Sequence, residues 1–199
     1  MRDYEAIKKS CQARAERRAF ICERFPKDGI GAEIGVFYGQ FSKIILEVAK
    51  PELLYLVDPW LKDDPWGDRT PKQMNEIAHE VLDKFAINPI AKIVRSKSDE
   101  FFELMEGIIK IRNKKPNWMF DFIYIDGSHE YQDVLSDLEG AWKIVKPGGI
   151  IAGDDYGENI LVWGDTIKRA VDDFCWKKSI TPEIIDVPGE NGKQFLIRR

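Results

Sequence analysis

The stretch DFIYIDGSHEYQDVLSDLEGAWKIVKPGGIIAGDDY, Asp121 to Tyr156, decides the fold. Phe122 to Ile125 is a short β-branched and aromatic run, long enough for a strand and too short for a helix, and it stops at the acid Asp126 and the turn residue Gly127. Tyr131, Val134, Leu135, Leu138, Ala141, Trp142 and Val145 then recur at three- and four-residue spacing. They describe an amphipathic helix that Lys146, Pro147 and the Gly148-Gly149 pair close. Ile150 to Ala152 reads as a second buried strand, ended by Gly153 before the acids Asp154 and Asp155. Two strands joined by one helix lie parallel, so Asp126 and the Asp154-Asp155 pair are predicted at the same carboxyl edge of a sheet. Open α/β folds bind their ligands at that edge.

Upstream, GIGAEIGVFYGQFSKIILEVAK, Gly29 to Lys50, is an apolar strand that enters a glycine turn and then a helix. The turn has the spacing E-x-G-x-x-x-G and lacks the G-x-G-x-x-G of a nicotinamide site. Gly35 permits close approach of backbone to a ligand, Gly39 opens a helix with free N–H groups, and Glu33 is an acid placed to meet an ammonium group. A tight strand-to-helix turn without a ligand is the alternative. Leu53 to Val57 is the next strand and ends in Asp58, about twenty residues past the glycine turn, where an acid can accept from both hydroxyls of a ribose. An N-cap or loop acid is the competing assignment.

These three stretches together, AEIGVFYGQFS, YLVDPW and the segment Asp121 to Tyr156, resemble the class I S-adenosylmethionine-dependent methyltransferases. The resemblance extends to the small O-methyltransferases of sugars and natural products, including the macrocin-type and cephalosporin hydroxylase-like branches. It implies a Rossmann-like, doubly wound α/β sheet of seven strands, mostly parallel with a C-terminal antiparallel hairpin; length and composition predict one domain over residues 1–199, and the residue pattern a leading amphipathic helix in 1–28. The resemblance also implies that Glu33, Gly35, Gly39 and Ser42 surround the methionine part of the cofactor, that Asp58 holds the ribose, that Ser98 borders the adenine, and that Asp126 adjoins the cofactor.

The catalytic expectations follow from the acids. Three carboxylates meeting at one edge repel unless a cation neutralises them, which points to a Mg²⁺-like ion on Asp126, Asp154 and Asp155 beside the acceptor hydroxyl. His129, three residues past Asp126, is the alternative or additional general base. An NAD(P)-dependent oxidoreductase shares the fold but misses its glycine fingerprint, and an inert cofactor-binding module has no need of the acid triplet.

The rest of the chain is quieter. Residues 4–24 are predicted to form a leading helix whose basic face, Lys8, Lys9, Arg14, Arg17 and Arg18, reads as solvated, with a nucleic-acid or acidic-partner patch as the alternative. Trp60 and Trp66 sit in a Pro- and Gly-rich loop, as a lid over the site or as packing on the core; Asp63, Asp64 and Asp68 beside them read as solvated. A helix is predicted over Pro71 to Phe85 with His79 on its surface, then a strand over Ala91 to Arg95. Ser96-Lys97-Ser98 caps a further helix. Lys110, Arg112, Lys114 and Lys115 read as a solvated connection, and Tyr156 and Trp163 lie in a loop before another helix. The chain closes with strands Ile180 to Val187 and Gln194 to Ile197 around a turn that includes Glu190 and Asn191.

With 199 residues, 44% hydrophobic and 32% charged, the chain can bury one sizeable core. A net charge of −4 gives no support for binding nucleic acid or an anionic membrane, so a small-molecule acceptor is the expected partner, with a homodimer left open. Cys11, Cys22 and Cys175 are widely spaced and odd in number, which reads as reduced thiols in a cytoplasmic protein.

Overall fold

The structure, a computed structural model, describes residues 4–61, 69–112, 119–157, 165–189 and 192–199. Asp63, Asp64, Trp66, Asp68, Lys114, Lys115, Trp163, Glu190 and Asn191 lie outside the described residues.

Helix α1 (Tyr4–Arg18) runs into a 3-10 turn (Ala19–Arg24) and strand β1 (Ile30–Ile34). Helix α2 (Gln40–Ile44) continues through a π-helical turn (Ile45–Ala49) to β2 (Leu53–Val57), α3 (Pro71–Phe85), β3 (Ala91–Val94) and α4 (Ser98–Ile111). Then come β4 (Phe120–Ile125), α5 (Tyr131–Ile144), β5 (Val145–Tyr156), α6 (Thr166–Lys178), β6 (Glu183–Asp186) and β7 (Lys193–Arg198). Among the described residues these strands form one seven-stranded sheet in the order β3-β2-β1-β4-β5-β7-β6. The five strands from β3 to β5 pair in parallel, and β7 runs antiparallel to both β5 and β6.

The order reverses between β1 and β4, and the backbone there is continuous across four strand tips. Asp58 N–H donates to Val94 O at 3.2 Å, Gly35 N–H to Val57 O at 2.9 Å and Asp126 N–H to Ile34 O at 2.8 Å. The residues predicted for the site are thus brought to one edge by main-chain bonds.

Strand alternation sorts the side chains into two cores. Phe122, Tyr124, Ile150 and Ala152 face α1, α2 and α3, with Phe25 stacked on Phe122 at 4.4 Å. Ile123, Ile125 and Ile151 face α4, α5 and α6, against Phe101, Leu138 and Phe174. No helix among the described residues is long and apolar enough to cross a membrane.

One boundary differs from the sequence reading in a way that matters. Strand β5 does not stop at Gly153 but runs on through Tyr156, with a register shift against β7 between Gly153 and Tyr156 and Asp155 at φ +59°. A regular strand would send Asp154 and Asp155 to opposite faces; the bulge lets both turn towards α1.

Candidate active site

The half of the edge formed by β1 and β2 is built on the backbone. Gly35 has φ +90°, and a Cβ there would lie 2.1 Å from the carbonyl oxygen of Asp126, so only glycine lets the tips of β1 and β4 cross. The loop that follows is tied down by Asp58. Its Oδ2 accepts from Val36 N–H and Phe37 N–H at 2.9 Å each, and its Oδ1 accepts from Trp60 N–H at 2.7 Å. Burial pushes the Asp58 pKa up while those three N–H groups pull it down. A carboxylate has about four acceptor sites, so Asp58 keeps capacity for a ligand hydroxyl beside its work on the loop.

Trp60 is packed in the core at 2% exposure, with its indole N–H on Phe37 O at 2.9 Å. Of the two placements open for it, core packing is the one observed.

Glu33 is buried at 1% exposure and accepts from the Ser42 hydroxyl. Burial raises its pKa well above the ordinary carboxyl value, Ser42 opposes the shift, and the nearby Asp126 and Asp58 add to it. An ammonium group is the ligand that would relieve such an acid. Ser42 is fully buried and spends its hydroxyl on Glu33, so it positions that acid and does not line the cleft as the sequence reading expected. Gly39 has φ +69° and opens α2.

At the β3 end, Lys97 and not Ser98 is the N-cap of α4. The Ser98 side chain bonds instead to Asp137 on α5, a carboxyl only 3% exposed. Burial pushes Asp137 up to about 7, Ser98 holds it down, and Asp133 and Asp99 push it further up. Gly127 lies against the same group: a Cβ on it would be 3.8 Å from Asp137 Oδ2.

The half formed by β4 and β5 is built on charge, and its cations come from α1. Arg18 is 4% exposed and reaches Asp126 Oδ2 at 3.2 Å, Asp155 Oδ1 at 3.5 Å and, in direct contact, Asp154 Oδ2. Arg14 bonds Asp155 Oδ1 and lies 3.4 Å from Asp154 Oδ2. Burial works against the Arg18 charge, but Asp126, Asp154 and Asp155 override it and raise its pKa. Burial likewise raises Asp126, with Arg18 opposing. His129 Nε2 lies 3.0 Å from Asp155 Oδ2, and the backbone of His129 is fixed by the Thr166 hydroxyl, which donates to its carbonyl at 2.8 Å.

This corrects the sequence reading of α1. Arg14 and Arg18 are not part of a solvated face; they fall at the helical spacing of Ile7, Cys11 and Ala15, which pack inwards, and that spacing was the signal available. The metal expectation changes too. One ligand atom each from Asp126, His129 and Asp155 lies within 4.8 Å of the others, whereas Asp154 is outside that set and turned to Arg18. The donors fit Mg²⁺ poorly, because one of the three is an imidazole and both carboxylates are already engaged by arginine.

A doubly wound α/β sheet with a glycine turn and acids on both sides of its switch point belongs to the class of open α/β folds that bind ligands at the carboxyl edge. A family model described as a methyltransferase domain matches residues 32–156, more than half of the chain, and the chain belongs to that family. The match runs from β1 through β5 and leaves α1 outside. An uncharacterised protein of Acanthamoeba polyphaga mimivirus is 29% identical over 154 residues, covering 76% of this chain; the chain spans 62% of that relative's length.

Solved structures share the fold. The N-methyltransferase NodS from Bradyrhizobium japonicum WM9 superposes with a TM-score of 0.60 at 13% identity over 96% of both chains. The O-methyltransferase TomG from Streptomyces achromogenes, solved with S-adenosylmethionine, gives 0.60 at 14% identity over 94% of this chain and 79% of its own. The O-methyltransferase from Bacillus cereus, solved with S-adenosylhomocysteine, gives 0.59 at 15% over 94% and 81%. The fold is that of the class I S-adenosylmethionine-dependent methyltransferases.

Proposed function

We propose that the protein moves a methyl group from S-adenosylmethionine to a hydroxyl of a small molecule such as a sugar or natural product. The observation that carries the oxygen acceptor is the pair formed by His129 Nε2 and Asp155 Oδ2 at 3.0 Å, beside Asp126 at the switch point. A carboxylate on one ring nitrogen orients the imidazole and makes the other nitrogen the better base.

Glu33 would hold the ammonium group, the Gly35 to Gly39 turn would pass beneath the methionine part, Asp58 would take the ribose hydroxyls, and Ser98 with Asp137 would border the base. When bound, the cofactor supplies an electrophilic methyl carbon on a sulfonium. On the protein's side, His129, oriented by Asp155, would take the proton of the acceptor's hydroxyl. Asp155 stabilises the resulting imidazolium, and Arg14 and Arg18 keep Asp155 and Asp126 in place. Most of the acceleration comes from holding the acceptor in line.

Calorimetry with S-adenosylmethionine, S-adenosylhomocysteine and NAD, followed by methyl-transfer assays on hydroxylated acceptors, tests this. Binding of the S-adenosyl compounds but not NAD is expected; NAD binding with no S-adenosyl binding would end the reading. Mg²⁺-assisted transfer is the second reading, favoured by the closeness of Asp126, His129 and Asp155. Loss of activity in chelator, restored by Mg²⁺, would establish it.

A further inference from the structure

Three aspartates at the tips of two adjacent strands offer the carboxylate oxygens that a hard divalent ion takes as ligands. Here the space among them is entered by guanidinium groups. Arg18, almost without exposure, contacts all three carboxylates, and Arg14 contacts two of them. The backbone is shaped for this: the bulge at Asp155, with φ +59°, turns two consecutive acids towards one helix. A planar fork of N–H donors can serve several carboxylate oxygens at once, which neither lysine nor a small hydrated cation does in the same way.

We propose that Arg18, together with Arg14, is the built-in cation of this site, standing where a divalent metal would stand, so that α1 is a working part of the acceptor side. The proposal rests on the methyl-transfer reading for its catalytic half only. Both arginines are positioning residues: they act through Asp126 and through the Asp155 to His129 pair. Both lie on the leading helix, outside residues 32–156 that the family model matches.

Two consequences follow. Divalent ions are excluded from the cluster while α1 is docked, and removing the arginines opens the three aspartates to them. Docking of α1 is also what brings the cations to the acceptor side.

The test uses the full chain with Arg14→Gln, Arg18→Lys, Arg18→Met and the Arg14→Gln/Arg18→Met double variant. Mn²⁺ is titrated alone and followed by electron paramagnetic resonance; methyl transfer is measured with and without chelator; S-adenosylhomocysteine affinity is measured by calorimetry. The wild type keeps full turnover in chelator and binds Mn²⁺ at least about tenfold more weakly than the double variant. Arg14→Gln loses at least about tenfold in kcat with S-adenosylhomocysteine affinity within about twofold, and Arg18→Lys recovers part of what Arg18→Met loses.

Tight Mn²⁺ binding by the wild type, chelator-sensitive wild-type turnover, or unchanged kcat in Arg14→Gln overturns the proposal. Should Arg18→Met not fold, Arg14→Gln carries the test, since that side chain is 31% exposed. A wild type that binds no S-adenosyl compound defeats the methyl-transfer reading instead, and the Mn²⁺ comparison still decides the question of the cation.

Discussion

The two halves of the carboxyl edge solve the same problem, holding acids out of bulk water, by different means. Around β1 and β2, Asp58 is satisfied by three main-chain N–H groups and Glu33 by one hydroxyl, all from residues within 25 positions in sequence. Around β4 and β5, Asp126, Asp154 and Asp155 are satisfied by side-chain cations 108 to 141 residues away. The first half draws its hydrogen-bond donors from its own turn and helix; the second draws its cations from a helix at the chain's start. Backbone donors leave an acid ready for a ligand, whereas guanidinium groups already occupy the acids they hold. That is why the first half suits a cofactor and the second suits the positioning of a base.

The sharpest way to break this contrast is Arg18→Met. It strands Asp126 and Asp154 in a buried place without their cation, and a cost of about 3–5 kcal/mol in urea unfolding at neutral pH is expected. The cost shrinks as the pH falls, because burial already raises both acids and protonation removes the charge that the arginine neutralised. A loss under about 1 kcal/mol would show that the three acids are not held through Arg18.

Next in size is Asp58→Ala. It leaves the N–H groups of Val36, Phe37 and Trp60 without their acceptor, for a loss of about 2–3 kcal/mol in stability. It also weakens S-adenosylhomocysteine binding by about 1.5–3 kcal/mol if the same carboxylate serves the ribose. Stability falling with affinity unchanged would confine Asp58 to the loop and sharpen the account of the backbone half.

Asp137 represents a third arrangement, a buried acid with a hydroxyl but no cation among the causes that act on it. Its folded pKa of about 7 is above the value of about 3.9 in an unfolded chain, so the folded state binds the proton more tightly. The resulting stability is fully present below pH of about 4 and is lost as the pH rises through about 7. Asp137→Asn is therefore expected to match the wild type near pH 4 and to exceed it by on the order of 2 kcal/mol near pH 8. Thermal melts at the two pH values check this; a difference independent of pH would mean that the carboxyl is ionised throughout.

These contrasts also explain what was legible in the sequence. Strand β2 over Leu53–Val57, helix α3 over Pro71–Phe85 and helix α5 over Tyr131–Ile144 are visible because hydrophobic period and punctuation are local properties. The cofactor side is visible for the same reason, as a glycine turn and an acid at the next strand tip. The spacing of Arg14 and Arg18 with Ile7, Cys11 and Ala15 marks them as inward-facing, but the acids that they meet lie at the other end of the chain and no local pattern names them. The Ser42 and Ser98 hydroxyls each bond a buried acid, Glu33 or Asp137, on a different element, a pairing that no local pattern shows. The end of β5 was read from Gly153, but pairing with β7 carries the strand past it. In α1 and at the end of β5, a long-range partner overrides a local preference.

The smallest expected effect is at the other end of α1. Lys8 Nζ meets Glu80 Oε1 on α3 at 2.6 Å, with side chains 28% and 52% exposed, and the hydrogen bond to Glu80 raises the lysine's pKa. By geometry this pin is better than the Arg18 contact with Asp126 at 3.2 Å, yet water competes for both partners and two long side chains must be ordered to make it. Lys8→Ala is therefore expected to cost about 0.5 kcal/mol or less, and a double-mutant cycle with Glu80→Ala should give a coupling of the same size that fades in high salt. The comparison with Arg18 is then between two pins on one helix, one wet and one dry. If the exposed pair proved as costly to remove as the buried arginine, burial would not be what gives Arg18 its weight, and α1 would be held chiefly by its outer end.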